Sequence, residues 1–216
     1  MSDTASAPVA VFGGTFDPVH YGHLRSALEL VEELDLAQLR LMPSAVPPHR
    51  EQPACSAEHR AAMVRLAVAC EPRLVCDDRE LHRAGQSYTY DSLAELREEL
   101  GRERSLCMVL GCDALRQLDG WHRWRELADL AHIVVIARPG WTIPRQGVVA
   151  DWLSERRAAG ANALRSAAAG RVLIEELRLL DISSSEIREL LASGRSARYL
   201  MPEAVLDYIQ RNKLYR

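Results

Sequence analysis

No apolar run in this chain approaches the ~18 consecutive residues of a membrane-spanning helix, so the sequence predicts no such span. Basic charge is not in excess either. A formal net charge of −3 argues against bulk binding to nucleic acid or to an anionic membrane. It leaves room for a local basic pocket that takes a small phosphorylated ligand. Paired cysteine motifs are lacking: Cys55, Cys70, Cys76, Cys107 and Cys112 form no Cys-x-x-Cys. An odd number with that spacing reads as reduced thiols, not as a disulfide framework or a zinc site. Met1 to Ala10 have neither a basic n-region nor a long apolar core, so the expectation is a cytoplasmic chain without a signal peptide. No internal repeat and no convincing linker divide the sequence. The expected organisation is a single domain over 1–216, with a core over 8–180 and a helical C-terminal part over 181–216. At 48% hydrophobic and 26% charged residues, the composition is that of a soluble globular protein with a sizeable core.

What the chain does have is a regular alternation of elements. Val9 to Phe12 are apolar and run into Gly13-Gly14, which predicts a short buried strand followed by a turn. Leu24, Ala27, Leu28, Val31 and Leu34 then repeat at helical spacing, with Glu29, Glu32 and Glu33 left for solvent. Further strands are expected at Leu39–Met42, at Leu74–Cys76 and the residues after it, at Leu106–Leu110 and at His132–Ala137. Between them, Ser56 is placed to cap a helix whose core face carries Ala62, Met63, Leu66 and Ala69. Thr89 is placed to cap a helix over Tyr90–Leu100 that Gly101 stops, and a short helix is expected near Trp124–Leu130. The stretch from Gly140 to Gly170 is the least legible, and no function is read from it. Strands alternating with helices imply an α/β fold, a Rossmann-like doubly wound parallel sheet with a small C-terminal helical extension.

Two constellations point to phosphate chemistry. A strand, a glycine turn and a helix N-terminus converge free backbone N–H groups on an anion. Beside that turn stand His20 and His23, with Gly22 between them. One histidine there would read as an ordinary core-edge residue; two in this frame point to nucleotide chemistry. Near the C-terminus, Ser183 and Glu186 fit a capping box, and Arg188 shares a helical face with Ser184 and Ser185. On its own that is a well-capped helix with a solvated arginine. Beside the first constellation, a guanidinium among hydroxyls and amides suits a triphosphate. No Ser-His-Asp triad is evident.

The segment Gly-Gly-Thr-Phe-Asp-Pro-Val-His-Tyr-Gly-His over 13–23 resembles the signature of the nucleotidylyltransferase superfamily. In its full form it is most similar to the bacterial nicotinate mononucleotide adenylyltransferases. Ile182 to Arg188 resembles that family's Ile-Ser-Ser-Thr-x-Ile-Arg, with Ser185 where threonine is usual and the hydroxyl kept. Pro47-Pro48-His49-Arg50, Ser87-Tyr88-Thr89, Gly111-Cys112-Asp113, Trp121 and Arg138-Pro139-Gly140 resemble further family segments. Of the two tryptophans at i and i+3, Trp121 matches the ring-stacking aromatic and Trp124 reads as packing.

The resemblance implies transfer of AMP from ATP to nicotinate mononucleotide, giving deamido-NAD and pyrophosphate in NAD biosynthesis. It implies ATP binding by Gly13, Gly14, Thr15, Phe16, His20, His23, Gly111, Asp113, Ile182, Ser183, Ser184 and Arg188, with His20, His23 and Arg188 catalytic. For the mononucleotide it implies His49, Arg50, Tyr88, Thr89, Asp113, Trp121 and Arg138. Mg²⁺ would be held mainly by ATP phosphates, so no protein metal ligand is expected. The partners expected are the two small substrates, with no nucleic acid and no membrane; a homo-oligomer is compatible with the sequence. The alternatives are an adenylyltransferase acting on nicotinamide mononucleotide or phosphopantetheine, and a nucleotide-binding regulator without catalysis.

Overall fold

The computed structural model describes residues 7–46, 52–137, 141, 144, 146–178 and 180–216. Six strands, β1 (Val9–Gly14), β2 (Gln38–Pro43), β3 (Leu74–Cys76), β4 (Leu106–Gly111), β5 (His132–Ala137) and β6 (Val172–Glu176), form one sheet in the order β3-β2-β1-β4-β5-β6. The pairs β1–β4, β4–β5 and β5–β6 are parallel, with Val11 opposite Met108, Val109 opposite Val134 and Val135 opposite Ile174. All of β5 and residues 106–110 of β4 are buried, as expected of strands covered on both faces. Strand order runs outward from β1 on one side and from β4 on the other. The fold is therefore the Rossmann-like doubly wound sheet, with its order reversing between β1 and β4.

The helices are α1 (Tyr21–Glu33), α2 (Ala57–Val68), α3 (Thr89–Leu100), α4 (Cys112–Leu115), α5 (Leu127–Leu130), α6 (Val148–Arg156), α7 (Ser184–Ala192) and α8 (Glu203–Arg211). Ser56 caps α2 by accepting from His59 N, and Gly101, at φ 83°, ends α3. Some expectations shift by one residue. Tyr88, not Thr89, is the N-cap residue of α3, without a side-chain cap bond, and Thr89 is the first helical residue. The buried face of α2 carries Arg60, Ala61, Met63, Val64 and Val68, while Leu66 is exposed. Glu29 is not on a solvent face: it is buried, paired with Arg25 (3.0 Å), and accepts from Arg178 N (3.2 Å). β6 and α6 went unread, because their apolar residues lie in or beside the Ala- and Arg-rich stretch that hides periodicity.

The chain gathers into two compact units: Met1–Gly13, Leu30–Leu39 and Tyr88–Leu177, and Gly14–Glu29, Arg40–Ser87 and Arg178–Arg216. In the first, Leu106, Leu115, Leu118, Leu127 and Ile133 are fully buried, and Trp124 meets Trp152 edge-on at 5.6 Å. Arg97 ties that unit internally by donating to the carbonyls of Gly101, Arg104, Leu130 and Ala168. In the second, α2 packs on α8, and Leu41, Met63, Val205 and Ile209 are buried. Residues 181–216 thus share a unit with the motif segment. Among the described residues, no helix is long and apolar enough to cross a membrane.

Candidate functional site

The motif segment 14–23 of the second unit is fixed through its carbonyls. Gly14 O accepts from Ser44 N (2.9 Å), and Thr15 O from Arg60 Nη1 (2.8 Å). Asp17 O accepts from Arg188 Nη1 (2.7 Å), and Pro18 O from the Ser184 hydroxyl (2.9 Å). The donors come from the loop after β2, from α2 and from α7. Neither Gly13 nor Gly14 enters the left-handed region; the residue that does is Phe16, at φ 49°. Gly14 instead makes room for the Phe16 ring, which a Cβ there would meet at 3.0 Å. A Cβ on Gly13 would meet nothing within 4 Å.

His20 directly precedes α1, and its carbonyl accepts from His23 N and Leu24 N (3.0 and 3.2 Å). The His20 and His23 rings lie 3.8 Å apart, and Phe16 meets His23 edge-on at 5.0 Å. Gly22 leaves this arrangement room. A Cβ on it would stand 3.0 Å from both Cε1 and Nδ1 of His20, and 3.4 Å from the Ile182 carbonyl. His20 is only 4% exposed, and burial lowers its pKa to about 4. The imidazole is therefore neutral near pH 7, with one N–H to donate and one lone pair. Its Nδ1 is buried without a hydrogen-bond partner among the described residues. Such an orphan costs about 1–3 kcal/mol and asks for an explanation.

From α7, Ser183 caps the helix by accepting from Glu186 N (3.1 Å). The Ser184 hydroxyl is spent on Pro18 O, so what this residue can offer an anion is its backbone N–H. Arg188 is half-buried and also reaches Ser185 Oγ (3.3 Å). Thr15, Phe16, His20, His23, Ile182, Ser183, Ser184 and Arg188 thus belong to one unit, together with three residues the sequence did not mark. These are Arg60, Ser44 and Asp17. A charged residue inside the apolar run of α2 was the available signal for Arg60. Asp17 lies inside the motif, but its role is visible only in its partners.

In the first unit, Gly111 caps α4 and Asp113 stands exposed in its first turn. A Cβ on Gly111 would meet nothing within 4 Å. Tyr88 stacks on His122 with ring centres 4.6 Å apart, and Arg123 sits 3.6 Å above the Tyr90 ring. Trp121 is half-buried, as is Thr89, whereas Trp124 is buried. His122 was missed because nothing in the sequence announces its stacking partner. His49, Arg50 and Arg138 lie outside the described residues. Ser87 Oγ does accept from Ala45 N and Val46 N (3.1 Å each), holding the last described residues before 47–51. Among the described residues, no group of three or more His, Cys, Asp or Glu side chains is placed to hold a metal ion.

Comparison with known proteins agrees with this chemistry. The cytidylyltransferase-like family matches residues 11–190. A relative from Cellvibrio japonicus, described as a probable nicotinate-nucleotide adenylyltransferase, is 51% identical over 96% of this chain and 98% of its own. One from Aeromonas salmonicida with the same description is 46% identical, over 97% and 98%. Among solved structures, the Plasmodium falciparum nicotinic acid mononucleotide adenylyltransferase complexed with NaAD superposes with a TM-score of 0.72, covering 97% of each chain. At 18% identity that likeness is one of fold. With half of its residues shared over nearly the full length, the chain belongs to the nicotinate-nucleotide adenylyltransferases, within the cytidylyltransferase-like family.

Proposed function

We propose that this protein transfers adenylate from ATP to nicotinate mononucleotide, forming deamido-NAD and releasing pyrophosphate. The observation that carries the reading is the paired His20 and His23 rings, 3.8 Å apart at the start of α1, with Arg188 anchored to the same segment. A phosphate oxygen of the mononucleotide attacks the α-phosphorus of ATP, and the bond to the bridging oxygen of the departing pyrophosphate breaks. The attacking oxygen is already ionised near neutral pH, so no general base is required. The protein contributes positioning and charge stabilisation of an in-line displacement.

His20, neutral through burial, donates one N–H to the oxygens that gain charge at the α-phosphate. His23 acts beside it. Arg188 and the N–H groups opening α7 take the β- and γ-phosphates, with Thr15, Phe16 and the open space over Gly13 along the same strand end. Gly111 and Asp113 serve the ribose. Tyr88, Thr89 and Trp121, with His49, Arg50 and Arg138, receive the mononucleotide. Mg²⁺ bound to the phosphates would neutralise charge there; the described side chains offer it no cage of their own.

A pyrophosphate-release assay with ATP and Mg²⁺ tests the reading. Nicotinate mononucleotide, nicotinamide mononucleotide and phosphopantetheine are compared at equal concentration. Release is expected with nicotinate mononucleotide at the highest kcat/KM. Greater release with another acceptor reassigns the substrate, and none with any acceptor sinks the enzymatic reading.

A further inference from the structure

Asp17 sits inside the motif, buried at 5% exposure, yet it faces protein on every side. Its Oδ2 accepts from Ala54 N (2.7 Å). Its Oδ1 accepts from the Tyr215 hydroxyl (2.7 Å) and from Cys55 Sγ (3.3 Å), and those two donors lie 3.1 Å from one another. The residue before it, Phe16, is left-handed at φ 49°, and Tyr215 is left-handed at φ 60°. Each such non-glycine residue costs roughly 1–2 kcal/mol, and persists only where its surroundings over-determine it. Tyr215 itself makes a short hydrogen bond to the Asp17 carboxylate, of the strong charge-assisted kind, one residue after left-handed Phe16. Tyr215 lies beyond the end of α8 at Arg211, so helix packing does not place it.

The same peptide unit faces the reaction. Asp17 O holds Arg188, and Pro18 O, one residue on, holds Ser184. Two residues further stands His20. A tilt of the 16–18 turn therefore displaces the guanidinium and the first histidine together.

We propose that Tyr215 is a positioning residue for adenylyl transfer: through Asp17 it fixes the 16–18 turn that sets Arg188 and His20 at the triphosphate. The inference rests on the adenylyltransferase reading of that cluster. Burial pushes the Tyr215 phenol well above its ordinary pKa, so it remains a donor across the working range. Arg60, 1% exposed, supports the same turn from Thr15 O and the same loop from Cys55 O (3.4 Å).

Tyr215→Phe removes only the hydroxyl. Tyr208→Phe is its comparator, since that hydroxyl bonds His59 Nδ1 (2.9 Å) and takes no part in the turn. Steady-state kinetics and amide hydrogen exchange are measured well below the unfolding temperature. Tyr215→Phe is expected to lower kcat about ten- to a hundredfold, with KM for nicotinate mononucleotide within about twofold. Exchange over 14–20 should quicken. Tyr208→Phe should keep wild-type kcat and exchange there. Equal behaviour of the two variants, or loss of stability alone, overturns the proposal. Should Tyr215→Phe fail to fold, Asp17→Asn replaces it, read by exchange over 14–20 alone because it also removes the carboxylate 3.9 Å from Arg188. Its amide nitrogen costs either the Tyr215 and Cys55 contacts or the Ala54 contact, and unchanged exchange overturns the proposal. Absence of pyrophosphate release by the wild type would refute the reaction instead, and the exchange data would still decide what Tyr215 holds.

Discussion

Two buried histidines sit in regions built on opposite terms. His132, at the start of β5, is fully buried; its Nδ1 accepts from Arg171 N (3.0 Å) and its Nε2 donates to Ala167 O (2.9 Å). His20, before α1, is nearly as buried, but its Nδ1 meets no partner among the described residues. Burial lowers the pKa of both. The two regions show that burial and a shifted pKa do not separate a site from a core. What differs between these two rings is the hydrogen-bonding capacity left over.

The sharpest way to break that comparison is to truncate both rings. His20→Ala should lower kcat by close to 10³-fold, about 4 kcal/mol, while KM for nicotinate mononucleotide moves little. His132→Ala should leave kcat of the folded protein intact and cost about 1–3 kcal/mol in denaturant unfolding, because Ala167 O and Arg171 N lose their partner. Near-wild-type turnover by His20→Ala would remove the distinction.

The tryptophans repeat it on a smaller scale. Trp124→Ala should cost about 3 kcal/mol of stability, read as a fall in the unfolding midpoint. Trp121→Ala should leave the midpoint nearly unchanged and weaken nicotinate mononucleotide binding about tenfold, measured by titration calorimetry. Unchanged affinity would remove Trp121 from the mononucleotide site.

Acid sharpens the comparison differently. His20 has a folded pKa of about 4 against 6.5 unfolded, so its stabilisation is complete above pH 6.5 and is lost as pH falls towards 4. The loss amounts to roughly 3 kcal/mol. His20→Gln should flatten that part of the stability curve and leave the acid sensitivity contributed by His132. The smallest expected effect concerns glycines. Gly22→Ala should lower kcat about tenfold by pressing on the His20 ring. Gly13→Ala meets open space in the protein; its unfolding midpoint should hold while KM for ATP rises a few-fold.

Strong periodicity and punctuation made most of the sheet legible. β1 and β4 are apolar runs that end in glycine, and β5 is an apolar run ending two residues before Pro139. Ser56, Ser183 and Gly101 mark helix ends where they were expected. β6 and α6 were not legible, since β6 ends in Glu175-Glu176 and α6 mixes Asp151, Glu155 and Arg156 with its apolar residues. At the proposed site, His20, His23 and Arg188 stand in local motifs that spacing alone makes visible. Tyr215 and Arg60 do not, because their partners lie 198 and 45 residues away. Sequence spacing carries information about neighbours along an element, and these contacts join different elements.

The four carbonyls pinned at 14, 15, 17 and 18 bear on transplantation. Copying the eleven-residue signature of 13–23 into another sheet protein would carry its histidines but none of its anchors. A working graft must bring Ser44, Arg60, Ser184 and Arg188 along, at matching depths in their own elements. The portable unit of this chemistry is a small scaffold of distant segments, and the recognisable string is only its visible edge.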